Sequence, residues 1–176
     1  DINNGFAKEG TLYSDRIKEL INPIYEFVKP LEDKLNKIIA FTDTHEEDSV
    51  ELLSYPAHCL ADSDECKVVD ELLDIKNLEI IQKNSTNGFF AIDINTLNDI
   101  DNVVVVGDCT DICIYQFVVT LKAYFNEKNI NKNIVVPMNL VDTYDIPFVH
   151  PGDLLNVVFL NSMVQNGVKL IKKFSL

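Results

Sequence analysis

Apolar residues fall along this chain in short unbroken runs, separated by longer stretches in which they recur every three or four positions. The runs are Lys37 to Thr42 (KIIAFT), Leu78 to Gln82 (LEIIQ), Asn102 to Gly107 (NVVVVG), Asn133 to Pro137 (NIVVP) and Val168 to Phe174 (VKLIKKF). Most are β-branched and continuous rather than alternating, the pattern of strands covered on both faces. Between them, Ser14 to Val28 places Ile17, Leu20, Ile21, Ile24 and Phe27 or Val28 on one helical face behind a Ser14 cap, with Pro23 positioned to kink it. Thr110 to Lys128 carries Cys113, Phe117, Leu121 and Phe125 at a spacing of four, and Pro151 to Gln165 opens on proline and is followed by Asn166 and Gly167. Strand alternating with helix predicts an α/β fold, a doubly wound parallel sheet whose ligands bind beyond the carboxyl ends of its strands. Asp43 to Asp74 is polar and without clear period, and a loop of that length inside a compact domain is usually functional or disordered.

Length and composition narrow the class. A chain of 176 residues supports one domain with a sizeable core, and no apolar run approaches the roughly 20 residues of a membrane span. Twenty-eight acidic against fifteen basic residues give a formal charge of -13, which repels phosphate backbones and anionic lipid, so neither nucleic acid nor membrane is an expected partner. Four cysteines, Cys59, Cys66, Cys109 and Cys113, are too few for a disulfide-stapled secreted domain. With no leader pattern visible, a reducing, cytoplasmic setting is expected.

The most informative segment is NVVVVGDCTDICIYQFVVT, residues 102 to 120, where a buried strand runs through Gly107 and Asp108 directly into an apolar helix. Cys113 falls in that helix's first turn, where the dipole and free amides lower a thiol's pKa and can hold an oxyanion. The alternative is a small buried apolar residue, the usual state of an unpaired cysteine. Lys83 also sits at a strand exit, in IIQKNS, and an ammonium there would stabilise both a thiolate and an anionic intermediate. A third group follows KIIAFT: Asp43, His45, Glu51 and His58 form a mixed carboxylate and imidazole set suited to zinc, manganese or iron(II). A solvated acidic loop is the plain alternative.

Other uses of these residues fail on spacing. A zinc deaminase needs HxE and a later PCxxC, and a zinc ribbon needs CxxC pairs; neither occurs. A flavodoxin-like nucleotide-binding module, which the alternation alone would allow, lacks a glycine-rich phosphate loop.

In order along the chain, AFTDTH, the distant PAHC, IIQKNS and GDCTDIC resemble the signature of the isochorismatase-like cysteine hydrolases, most closely their nicotinamidase members. The resemblance implies one domain over residues 1–176, with a three-layer α/β/α fold and a mainly parallel six-stranded sheet. It implies a catalytic triad of Asp1, Lys83 and Cys113, a cis bond between Asp108 and Cys109, and an oxyanion hole from the amides of Cys109 and Cys113. Phe6 corresponds to an aromatic flanking the substrate ring, and Tyr55 stands where the nicotinamidases often carry tryptophan. One divalent metal, zinc or else iron or manganese, is implied on Asp43, His45, Glu51 and His58; isochorismate hydrolases lack this cluster, which favours nicotinamide as substrate. The implied activity is deamidation of nicotinamide through a thioester, in NAD salvage, by a homo-oligomer. Alternatives are an amidase or imine hydrolase of the same family, or a catalytically silent binding protein that keeps the fold. Because that family's catalytic aspartate ends a strand, an apolar strand of about five or six residues is expected before Asp1.

Overall fold

The structure is a computed structural model describing residues 1–172. Among the described residues seven strands form: β1 (Ile38–Asp43), β2 (Leu78–Lys83), β3 (Asn102–Val104), β4 (Gly107–Asp108), β5 (Asn133–Pro137), β6 (Val141–Asp142) and β7 (Lys169–Ile171). All paired strands are parallel, β1 with β2, β3 with β5, β4 with β6, and β5 with β7. β4 and β6 continue β3 and β5 toward their carboxyl ends, the Val105 amide donating to the Val135 carbonyl at 2.9 Å between them. The run predicted as Val168 to Phe174 contains β7, and its last two residues lie outside the described residues.

The continuous apolar runs explain the layering. In β1, Ile38 and Ala40 pack into one core with α1 (Asn4–Ala7), α2 (Asp15–Lys18) and α3 (Ile21–Val28). Ile39 and Phe41 point the opposite way, into a second core with α4 (Tyr115–Glu127) and α5 (Gly152–Gln165). Successive side chains of a strand face opposite sides, so a strand apolar at every position needs helices on both.

Two predicted helices differ. Ser14 to Val28 is broken into α2 and α3, and Ser14 makes no side-chain cap bond. Pro23 lies in the first turn of α3, where a missing amide costs nothing, so it starts a helix rather than kinking one. Thr110 to Lys128 begins as a wide π turn over Thr110–Ile114, and the regular helix starts only at Tyr115. The polar segment from Asp43 to Asp74 is ordered: short turns form at Val50–Leu53 and Asp70–Leu72, and Cys59, Cys66, Val68, Val69 and Leu72 join the first core.

Among the described residues the β1–β2 pair and the β3–β5–β7 group share no hydrogen bonds. Between them lies a cavity of about 310 Å³, walled by Ile38 to Phe41 on one side and Val103 to Val106 on the other. Asp1, Lys83 and Cys113 also line it.

Candidate active site

Register brings the first two charged residues together. β1 and β2 pair from Ile38 with Leu78 through Asp43 with Lys83, so the carboxylate and the ammonium sit side by side at the carboxyl ends of adjacent strands. The Lys83 ammonium pairs with the Asp43 carboxylate and lies 3.1 Å from Asp1 Oδ2 and 3.8 Å from Cys113 Sγ. All four side chains are buried. Asp1 reaches this point because Gly107 has φ +116° and no side chain; a Cβ there would stand 2.9 Å from the Asp1 nitrogen. The Asp108 amide then donates to the Asp1 carbonyl at 3.3 Å, tying Asp1 to β4.

Cys113 lies in the π turn after β4. The peptide bond between Asp108 and Cys109 is cis. The amides of Ile112 and Ile114 both donate to the Cys109 carbonyl at 3.1 Å, which wraps the turn around Cys113.

Burial reverses the thiol expectation. It pushes the Cys113 thiol up to about 12; Lys83 pulls it down, but Asp43, Cys109 and Asp108 push it further up. Cys113 is therefore a neutral thiol at pH 7, not the resting thiolate expected from a helix start, because desolvation and surrounding carboxylates outweigh one ammonium. For Lys83, burial pulls the ammonium down, yet the charge and hydrogen bond of the Asp43 carboxylate hold it above the ordinary lysine range. Asp1 Oδ1 is buried with no hydrogen-bond partner, leaving an open acceptor beside the Asp1–Lys83 pair.

The histidines meet through the backbone. His45 donates its amide to the Cys59 carbonyl at 3.0 Å and accepts from the Ala61 amide at 2.8 Å, which places His58 against it with ring centroids 4.8 Å apart. His45 Nδ1 is held by Asn84 Oδ1 at 3.0 Å and His58 Nδ1 by the Pro56 carbonyl at 2.8 Å. Both acceptors require a proton on Nδ1, so each Nε2 presents a lone pair. One ligand atom from each of Asp43, His45 and His58 falls within 4.8 Å of the others. Glu51 Oε1 lies 3.8 Å from His45 Nε2, and both atoms are buried without a hydrogen-bond partner. Orphaned buried donors of this chemistry, each oriented by a second bond behind it, fit a divalent cation. Asp43 thus faces two ways, toward Lys83 and toward the histidines.

A small cleft joins the two clusters, lined by Phe6, Asp43, Glu51, Tyr55, His58, Cys109, Cys113 and Tyr144 among others. Phe6 and Tyr55 flank His58, with ring centroids at 5.8 and 6.2 Å. The structure brings every sequence-predicted site residue to this region. Sequence reasoning missed the supports: Asn84 behind His45, and Thr86, whose amide donates to Glu51 Oε2 at 2.9 Å. Asn84 and Thr86 follow Lys83 directly, a polar stretch after an apolar strand, which was the available signal. It also missed Asp108, whose buried carboxyl is pushed up by burial and by Asp43, against the downward pull of Lys83.

Comparison with known proteins agrees with this arrangement. Residues 1–144 match the model of the isochorismatase domain. The chain is 26% identical to nicotinamidase 1 of Arabidopsis thaliana over 206 residues, covering 99% of this chain and 84% of that protein. Among solved structures, a yeast nicotinamidase superposes with a TM-score of 0.82 at 16% identity, covering 98% of this chain and 97% of that one. A Pyrococcus horikoshii pyrazinamidase in complex with zinc superposes at 0.78 with 19% identity, covering 99% and 96%. N-carbamoylsarcosine amidase from Thermoplasma acidophilum superposes at 0.79 with 18% identity, covering 100% and 94%. A domain match across most of the chain, on the parallel α/β fold those structures share, makes this protein a member of the isochorismatase family of hydrolases.

Proposed function

We propose that this protein is an amidase that converts nicotinamide to nicotinate and ammonia through a thioester on Cys113, in the cytoplasm and in the service of NAD salvage. The observation that carries the reading is the convergence of Asp1, Lys83 and Cys113, with 3.1 and 3.8 Å separating the ammonium from the carboxylate and the sulfur. Similarity to nicotinamidase 1 over the whole chain supports it.

In the mechanism, the open Oδ1 of Asp1 takes the Cys113 proton as the sulfur attacks the carboxamide carbon. A neutral resting thiol needs such a base, because almost none of it is ionised in advance. The amides of Cys109 and Cys113 receive the oxyanion, and Lys83 keeps the anionic groups together. Asp1 returns the proton to the departing nitrogen, the C–N bond breaks, and ammonia leaves. Asp1 then deprotonates a water that attacks the thioester, the C–S bond breaks, and the sulfur recovers its proton. A divalent ion, with zinc favoured over iron or manganese, on Asp43, His45, His58 and Glu51 would supply a Lewis acid that orients the substrate ring. Phe6 and Tyr55 bracket that ring.

One domain spans residues 1–176 in this reading, and self-association accompanies it. We further assign the cavity between β1 and β3 to a central strand leading into Asp1: its walls are apolar, and each flanking strand has one unpaired edge. The test is a purified-protein assay for nicotinate and ammonia, with and without chelator and against a panel of small amides. Turnover of nicotinamide that falls on chelation supports the proposal; a protein that hydrolyses other amides but not nicotinamide overturns it.

A further inference from the structure

His150 plays no part in the chemistry above, yet it is tightly held. Its Nδ1 lies 2.9 Å from the Tyr144 carbonyl and its Nε2 lies 2.8 Å from Asp111 Oδ2. With both nitrogens engaged, the ring is available neither as a base nor as a metal ligand. It stacks instead on the ring of Tyr144, centroids 4.0 Å apart and planes 28° from parallel. Tyr144 lies just past the carboxyl end of β6 and lines the cleft that contains Cys113. Asp111 sits in the same π turn as Cys113, two residues before it. The loop between Tyr144 and α5 is closed on itself: Ile146 and His150 exchange two backbone bonds of 2.9 Å, and the Gly152 amide donates to Asp145 Oδ1 at 2.7 Å. One wall of the cleft and its nucleophile are thus anchored to the same turn.

We propose that Tyr144 is a specificity-determining residue that restricts the cleft to amides bearing a flat ring, and that His150, clamped by Asp111, is the positioning residue that holds it in place. The proposal rests on Cys113 being the nucleophile of the reading above. Tyr144 lines the same cleft as Tyr55 and Phe6, and a fixed third aromatic side chain there favours planar over aliphatic groups. A stacked, doubly hydrogen-bonded partner keeps that face from rotating away when the cleft is empty.

The test compares alkylation of Cys113 by 2-chloroacetanilide and by chloroacetamide; the same thiolate attacks both, displacing chloride, so the ratio of rates cancels any change in its ionisation. Wild-type protein is expected to favour the aromatic reagent over the ratio seen with free cysteine. Tyr144→Ala and His150→Ala should each lower that preference about tenfold, Tyr144→Phe should keep it, and the double Ala variant should lose no more than either single one. On nicotinamide the same variants should raise KM with little change in kcat. If the alanine variants keep the wild-type ratio, the proposal is overturned; should they fail to fold, Asp111→Ala, which removes the acceptor of His150 Nε2 and leaves both rings in place, should lower the same ratio, and an unchanged ratio there overturns the proposal. A wild-type protein that hydrolyses no amide defeats the functional reading alone, because the alkylation ratio still decides the role of Tyr144.

Discussion

Two cavities meet at Cys113, and they are built on opposite terms. The cleft toward His58 and Tyr55 is small and its neighbourhood holds buried polar atoms without partners, among them His45 Nε2 and Glu51 Oε1. The larger cavity between β1 and β3 is walled mainly by isoleucine and valine, and apart from Asp1 Oδ1, where it meets the triad, what it leaves unsatisfied is backbone edge. An orphaned imidazole nitrogen asks for a cation or a substrate; an unpaired strand edge between apolar walls asks for another strand. Kind of deficit, more than cavity size, separates a site of chemistry from a site of architecture here.

The sharpest break of that contrast comes from removing the group the cavities share. Cys113→Ala should abolish amide turnover by about a thousandfold or more, as loss of a covalent nucleophile does. It should lower thermal stability only slightly, since it deletes a single sulfur from a position that already borders two cavities. Retained turnover would place the chemistry elsewhere in the cleft. The larger cavity is tested by filling it. Joining a six-residue apolar β-forming segment to Asp1 should stabilise the fold by about 3 kcal/mol, the burial of several aliphatic side chains less the entropy of ordering them. In a domain this size that raises Tm by roughly 6–12 °C. The same segment interrupted by proline should gain almost nothing, and equal stabilisation by both would mean the cavity does not accept a strand.

The third effect concerns the thiol. With burial holding Cys113 up at about 12, the thiolate fraction at pH 7 is minute and grows with every step toward that value. Alkylation by chloroacetamide in chelated protein should accordingly climb about tenfold per pH unit, or roughly a hundredfold from pH 7 to 9. A plateau below pH 8 would show instead a thiolate formed in advance by Lys83 and the helix start.

That last contrast marks where the sequence was legible and where it was not. Strand positions were readable because unbroken β-branched runs have one good use, burial on both faces, and β1, β2 and β5 lie within a residue of their apolar runs. The positions of Asp43 and Lys83 followed, since strand ends are where side chains leave the core. The sign of the Cys113 shift was not readable, because it depends first on how deeply the fold buries the thiol and then on the balance between Lys83 and the carboxylates of Asp43 and Asp108, which come from different strands. Nor was the break between α2 and α3: the apolar period runs straight through Leu20, and only packing shows that the chain turns there. His150 carried no motif at all, and its role appeared only when Asp111 and Tyr144 were found on either side of it.

The smallest effect tests whether the polar deficit of the cleft is designed for a cation. Asn84 Oδ1 receives His45 Nδ1 at 3.0 Å and the Ser49 hydroxyl at 2.9 Å, so one amide oxygen sets both the tautomer and the tilt of His45. Asn84→Ala removes that acceptor without touching Asp43, His58 or Glu51, and zinc affinity should fall about 10–100-fold in competition with a chromogenic chelator. Asn84→Asp restores an acceptor of the same reach and should recover much of the loss. Stability without metal and the chloroacetamide rate at Cys113 should both stay near wild type, since neither depends on the lone pair of His45 Nε2. Undiminished zinc binding in the alanine variant would mean that His45 does not need its orienting bond, and that the buried, partnerless atoms around it serve some purpose other than holding a metal.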